Sequence, residues 1–217
     1  LSHIQCCGES ANAGATGEVT VALGEPGDML ELSAESYSRA SSVPNAWPYG
    51  EPEWSGATRD TNQTVSATAK AYLPIDVPGV YTVTASFDGN SGHEQATMRV
   101  KVVAAGQLQY IPNDDTNWVN MANPTYVRVD KPVDFRVLPN PTNCPWPAVN
   151  PNWHGSLYAV ATNFVNGTFT VPSTGTNDFK SFHVECGNEV TGNVLVVKED
   201  IVQTNSSAAC NSPTNVH

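Results

Sequence analysis

The chain carries one ten-residue pattern twice. Residues 47–56 read WPYGEPEWSG and residues 146–155 read WPAVNPNWHG, sharing W-P-x-x-x-P-x-W-x-G without a gap at an offset of 99 residues. Four of the five Trp (Trp47, Trp54, Trp146 and Trp153) fall inside it, so coincidence is a poor account. Each copy is followed by a strand-like run, GVYTVTASF at 79–87 and KSFHVECGN at 180–188. A chain made of two copies of a roughly 90-residue unit is a modular scaffold, whereas an enzyme concentrates its chemistry in one place. Units of this size bury a modest core and gain from a covalent staple.

Composition narrows the class. Charged residues are 14% of the chain, Gly and Pro number 16 each, and Thr, Ser, Asn and Val abound. That is the vocabulary of short strands and frequent turns. The net charge is −11, with 12 acidic against 5 basic residues over 1–105 and 9 against 5 over 106–217. Without a basic run, neither a phosphate backbone nor an anionic membrane surface finds an electrostatic partner. No apolar run is long enough to insert in a bilayer. The chain begins at Leu1 without a signal-peptide pattern, as expected of a processed, mature protein.

Apolar residues alternate with period two. In the first unit the sets are Val19, Val21, Leu23; Leu30, Leu32, Ala34; Val65, Ala67, Ala69, Ala71; Tyr81, Val83, Ala85, Phe87; and Met98, Val100, Val102. In the second they are Val133, Phe135, Val137, then Phe164–Val171, Phe182–Cys186 and Val194–Val197. One face of each strand is expected to pack and the other to meet water. Regularly spaced short strands between turn signals predict an all-β chain: two tandem immunoglobulin-like β-sandwiches over 17–105 and 106–200. Residues 1–16 and 201–217 read as extended polar arms, each carrying Cys.

The closing run GVYTVTASF…ATMRVKVVA resembles the last two strands of bacterial immunoglobulin-like and PKD-like repeats of secreted and cell-surface proteins. The resemblance covers about 180 residues, both units, and implies the sandwich fold and an extracellular setting. Pro78-Gly79-Val80-Tyr81 resembles the corner entering strand F, where a Tyr hydroxyl ties back to the backbone; Phe182 is expected at that place in the second unit. In such domains the strand F Cys follows two residues after the Tyr, a position held here by Val83 and Val184. Cys186 lies two further on, and Cys144 lies in the B–C connection at the same end of a sandwich. A Cys144–Cys186 disulfide is expected on that ground. The alternative is two unlinked small apolar side chains.

Cys6, Cys7 and Cys210 remain in the arms. If the units stack end to end, the termini lie roughly 60–80 Å apart on strands rising about 3.3 Å per residue. Head-to-tail contact between molecules would join them through intermolecular disulfides and, unclosed, build a filament. A folded-back monomer, or arms with mispaired thiols, is the alternative.

Other candidate sites are weaker. His93-Glu94 opens like a zinc-protease motif, but Thr97 stands where its second His belongs. The five His are dispersed and no Cys-x-x-Cys exists, so ligand spacing argues against zinc. Asp114 and Asp115, in a Pro-Asn-rich loop, are a candidate Ca²⁺ site, with a solvated loop as the alternative. Trp54 and Trp153 are expected in the cores, while Trp47 and Trp146, each before Pro, leave room for a sugar-stacking platform. Asn62, Asn166 and Asn205 head N-glycosylation sequons.

The reading is a non-catalytic extracellular structural protein without a cofactor. It is expected to be the subunit of a homopolymeric surface filament or sheath, joined head to tail through its arms. The alternative is an adhesive or carbohydrate-binding module of a larger secreted protein, with a glycan as partner.

Overall fold

The computed structural model describes residues 2–36, 50–61, 68–89, 92–112, 115–128, 133–147, 151–155, 163–165, 168–171 and 179–197. All regular structure among them is β. The chain divides into two units. One comprises Leu1–Ala104 with Pro139–Asn150 and Cys186–Asn188; the other comprises Ala105–Leu138, Pro151–Glu185 and Glu189–His217.

In the first unit the strands are β1 (Ser2–Cys6), β2 (Glu9–Asn12), β3 (Thr16–Ala22), β4 (Met29–Ser36), β5 (Glu53–Ser55), β6 (Thr58–Arg59), β7 (Thr68–Pro74), β8 (Gly79–Gly89) and β9 (Gly92–Tyr110), the last six residues of β9 belonging to the second unit. One sheet runs β2-β1-β4-β7-β6; in the other, β5, β8 and β9 are neighbours in that order and β3 joins β9 in parallel. The expected alternation sets the inward faces: Leu32 and Ala34 on β4, Ala69, Ala71 and Leu73 on β7, Val83, Ala85 and Phe87 on β8, and Met98, Val100 and Val102 on β9 are all buried. Of the β7 residues named from the sequence, Val65 and Ala67 lie outside the described residues.

The 1–16 segment is not an arm. Ile4, Cys6 and Ala11 are buried in the first core, and β1 pairs antiparallel with β4, His3 against Glu35 and Gln5 against Ser33. The physical reason is a short alternation, Ile4-x-Cys6, that polar neighbours disguise. Cys7 and Gly8 both take positive φ, 51° and 88°, closing the β1–β2 hairpin as a two-residue turn of the primed kind.

The second unit holds β10 (Val119–Asn120), β11 (Thr125–Arg128), β12 (Val133–Asn140, its last two residues belonging to the first unit), β13 (Asn152–Gly155), β14 (Asn163–Val165), β15 (Thr168–Val171), β16 (Phe179–Glu185) and β17 (Glu189–Val197). The end of β9 continues the order β14-β15-β12, and the opposite sheet runs β11-β17-β16-β13 with β11 parallel to β17. Its core gathers Phe135, Phe182 and Trp153, with ring centroids 5.6 Å apart for Phe135–Phe182 and for Trp153–Phe182.

Strand for strand the two units agree. Each has an A-B-E-D sheet facing a C-F-G sheet, with an added strand running parallel to G. That is the immunoglobulin-like order, and the chain is all-β with two such sandwiches in tandem.

The repeated motif has a structural cause. Trp54 pairs with Ala85, and Trp153 with Val184, each partner lying 99 positions beyond its counterpart. The closing glycines, Gly56 and Gly155, hold φ of 83° and 111°. A Cβ on Gly56 would stand 2.1 Å from the Thr82 carbonyl oxygen, and one on Gly155 would stand 2.6 Å from that of Ser181. W-x-G is thus the signature of a strand C laid against strand F, where a side chain on the third residue would strike the neighbouring backbone.

The same register corrects the corner assignment. Tyr81 ties its hydroxyl to the Val77 carbonyl at 2.8 Å, as the resemblance implies. Phe182, however, stands 99 positions after Val83, not after Tyr81. Across from Val83 is Met98, whereas across from Phe182 is Gly192, where a Cβ would meet the Phe182 ring at 2.5 Å. A large residue facing glycine replaces a medium residue facing methionine, filling similar space.

Candidate metal-binding face and the sequence-named residues

Strand pairing assembles a cluster that spacing along the chain conceals. On β13 Trp153 points into the core and His154 to the opposite face; on β16 Phe182 and Val184 are buried, so His183 and Glu185 point outward. The antiparallel register sets His154 opposite His183 and Asn152 opposite Glu185. The two imidazoles stack, centroids 4.8 Å apart and planes 18° from parallel. Glu185 spans both, its Oε2 3.3 Å from His154 Nε2 and its Oε1 3.6 Å from His183 Nε2.

His154 Nε2 is shielded from solvent and makes no hydrogen bond, although the Glu185 carboxylate lies 3.3 Å away. One donor atom from each of the three residues falls within 4.8 Å of the others. On the neighbouring β17, Glu189 stands opposite Glu185 and accepts a hydrogen bond from Thr191 Oγ1 at 3.3 Å. Two imidazoles and two carboxylates therefore share one exposed face. The five His looked dispersed because linear spacing does not register cross-strand pairs. The available signal was His183-x-Glu185, two same-face residues on a strand-like run.

The residues named from the sequence are less convergent. Cys144 and Cys186 are both buried free thiols, and the disulfide expected between them is not formed. Cys186 Sγ is directed instead at the Val103 carbonyl oxygen, 4.0 Å away, and burial pushes its pKa up. Cys6, expected to be available for intermolecular bonding, is buried beneath the first sandwich. Its pKa is pushed up to about 12 by burial first, then by its contact with Cys7 Sγ at 3.5 Å. Only the thiolate attacks a disulfide or oxidant effectively, so burial and the raised pKa disfavour reaction at Cys6, while Cys7, exposed at the hairpin tip, is the accessible member of the pair.

Trp153 is a core residue, 4% exposed. Trp54 is half-buried against the first core and Trp146 is half-buried, so neither is enclosed as Trp153 is. Asp115 is exposed and spends Oδ1 on its own loop, accepting from the backbone N–H of Asn117 at 3.1 Å, that of Thr116 at 2.6 Å and Asn117 Nδ2 at 3.0 Å. Those backbone bonds hold its carboxyl below the usual range. His93 pairs with Asp88 across the β8–β9 hairpin at 2.9 Å. Trp47, Asp114, Asn62, Asn166, Asn205 and Cys210 lie outside the described residues.

Comparison with protein-family models and with curated proteins finds no match. Among solved structures the chain is similar to titin domains I67–I69 in an E-to-A variant, at 10% identity over 90% of this chain and 66% of that one, with a TM-score of 0.42. It is also similar to the D00–D0 domain of intimin, at 10% identity over 91% of this chain and 100% of that one, TM-score 0.40. A third similarity is to three N-terminal domains of the bacteriophage RB49 highly immunogenic outer capsid protein, at 13% identity over 91% and 71%, TM-score 0.41. At these scores the assignment rests on the strand order itself: the chain is a tandem immunoglobulin-like module. No helix among the described residues is long and apolar enough to cross a membrane.

Proposed function

We infer that this chain is a non-catalytic, extracellular structural module of the bacterial surface-repeat type, and that it serves as a building unit of a surface filament or sheath. The observation that carries this reading is the duplication itself. Two sandwiches keep one strand order and one C–F register, as a repeated mechanical element requires and a single catalytic centre does not. No organic cofactor enters it.

The folding-in of the N-terminal hairpin relocates the joint. With Cys6 enclosed, head-to-tail assembly rests on residues 201–217 and on Cys7 at the hairpin tip. The test is electron microscopy of native material with and without reductant, beside a variant ending at residue 200. Long uniform fibres lost by the truncated chain support the reading. Discrete particles from the full chain under both conditions overturn it. A carbohydrate-binding role is the second reading, favoured by the half-exposed Trp146; glycan binding lost in Trp146→Ala would establish it.

A further inference from the structure

We propose that His154, His183 and Glu185 form a binding site for a divalent transition-metal ion of the zinc class, clipping strand β13 to strand β16. The donor set selects the ion. Imidazole nitrogen with carboxylate oxygen suits Zn²⁺, Ni²⁺ or Cu²⁺, while Mg²⁺ and Ca²⁺ prefer oxygen alone.

The geometry is close to what such an ion needs. Donors held about 2.0–2.1 Å from a tetrahedral ion lie about 3.4 Å from one another. Glu185 already stands 3.3 Å from His154 Nε2 and 3.6 Å from His183 Nε2, and one donor atom from each residue lies within 4.8 Å of the others. Bringing all three donors onto one ion requires the two imidazoles to rotate out of their stacked arrangement. The shielded His154 Nε2, which makes no hydrogen bond, gains a partner in the ion. Glu189, opposite Glu185, adds negative charge at the same face. Three protein donors on an exposed sheet leave the fourth position to water.

The backbone supports the set. His154 is the residue between Trp153 and Gly155, so the buried indole and the glycine pressed on strand β16 fix where the imidazole emerges. The first unit has Ser55 at the corresponding place, so the metal face is a property of the second copy alone.

The test is titration of the untagged full-length chain with ZnCl₂ and with NiCl₂ by calorimetry in a non-chelating buffer. The imidazole C–H resonances are followed by NMR in parallel. The expected result is saturable uptake with the His154 and His183 resonances shifted by zinc. Affinity should weaken at least tenfold in His154→Gln or His183→Gln, less in Glu185→Gln, and the melting temperature of the second unit should rise with zinc. The double variant H154Q/H183Q should lose the uptake. Both imidazoles face outward, and the NMR shifts in the unaltered chain do not depend on any variant folding. Unmoved His154 and His183 resonances at millimolar zinc, or uptake unchanged in the double variant, would overturn the proposal.

Discussion

Ile4→Ala separates a strand from an arm. Ile4 is fully buried, on a β1 that pairs with β4 and under the same core as Leu32, Val83 and Met98. Burying an isoleucine contributes about 1.5–3 kcal/mol by transfer, and the cavity left by truncation raises the cost of Ile→Ala to about 2–5 kcal/mol. Against a typical stability of about 5–15 kcal/mol, that is a large share. In a domain of this size it lowers the melting temperature by on the order of 10–30 °C. The assay is urea unfolding followed through amide resonances of Val83 and Val100, which report the first unit, with Phe182 and Val194 reporting the second. Glu9→Ala on the exposed edge strand β2 is the control, expected within about 0.5 kcal/mol of the parent. If Ile4→Ala is as mild as its control, the hairpin is not docked and the arm-based joint at residues 1–16 returns to consideration.

Four further outcomes are expected. Gly155→Ala and Gly56→Ala should each cost more than about 2 kcal/mol, since positive φ and a backbone clash act together; Gly27→Ala, at φ 98° with nothing within 4 Å, should cost only about 1 kcal/mol by chemical denaturation. Timed alkylation read by peptide mass spectrometry should label Cys7 well before Cys6, Cys144 or Cys186, and a linked Cys144–Cys186 peptide would contradict the free thiols. Burial lowers the pKa of His3, so the folded chain binds its proton less readily than the unfolded chain does. That contribution to stability is complete above the unfolded value of about 6.5 and is lost as pH falls through the depressed folded value; unfolding curves at pH 7 and pH 5 should diverge less in His3→Gln. Phe182→Ala should destabilise the second unit by about 3–5 kcal/mol, because its ring fills the space over Gly192 and touches both Phe135 and Trp153.

Period-two alternation placed strands at Tyr81–Phe87 and Val133–Val137, where apolar residues ran three or more deep. It failed at Ile4-x-Cys6, where two apolar residues among polar ones looked like a tail. The corner Tyr81 was legible because its partner, the Val77 carbonyl, is local in sequence. The alignment of Phe182 with it was not, because only the pairing of β13 with β16 shows which residues correspond.

By itself the sequence determined that this is a duplicated all-β chain, since the W-P-x-x-x-P-x-W-x-G motif and the two-residue period are local consequences of strand geometry. The tertiary structure decided what lies side by side. It enclosed Cys6, buried Cys144 and Cys186 as free thiols, and set His154 against His183 and Glu185. Those outcomes depend on register between strands distant in sequence, and a one-residue slip in register turns every side chain to the opposite face. Alternation says which residues share a face; only pairing says which of them meet.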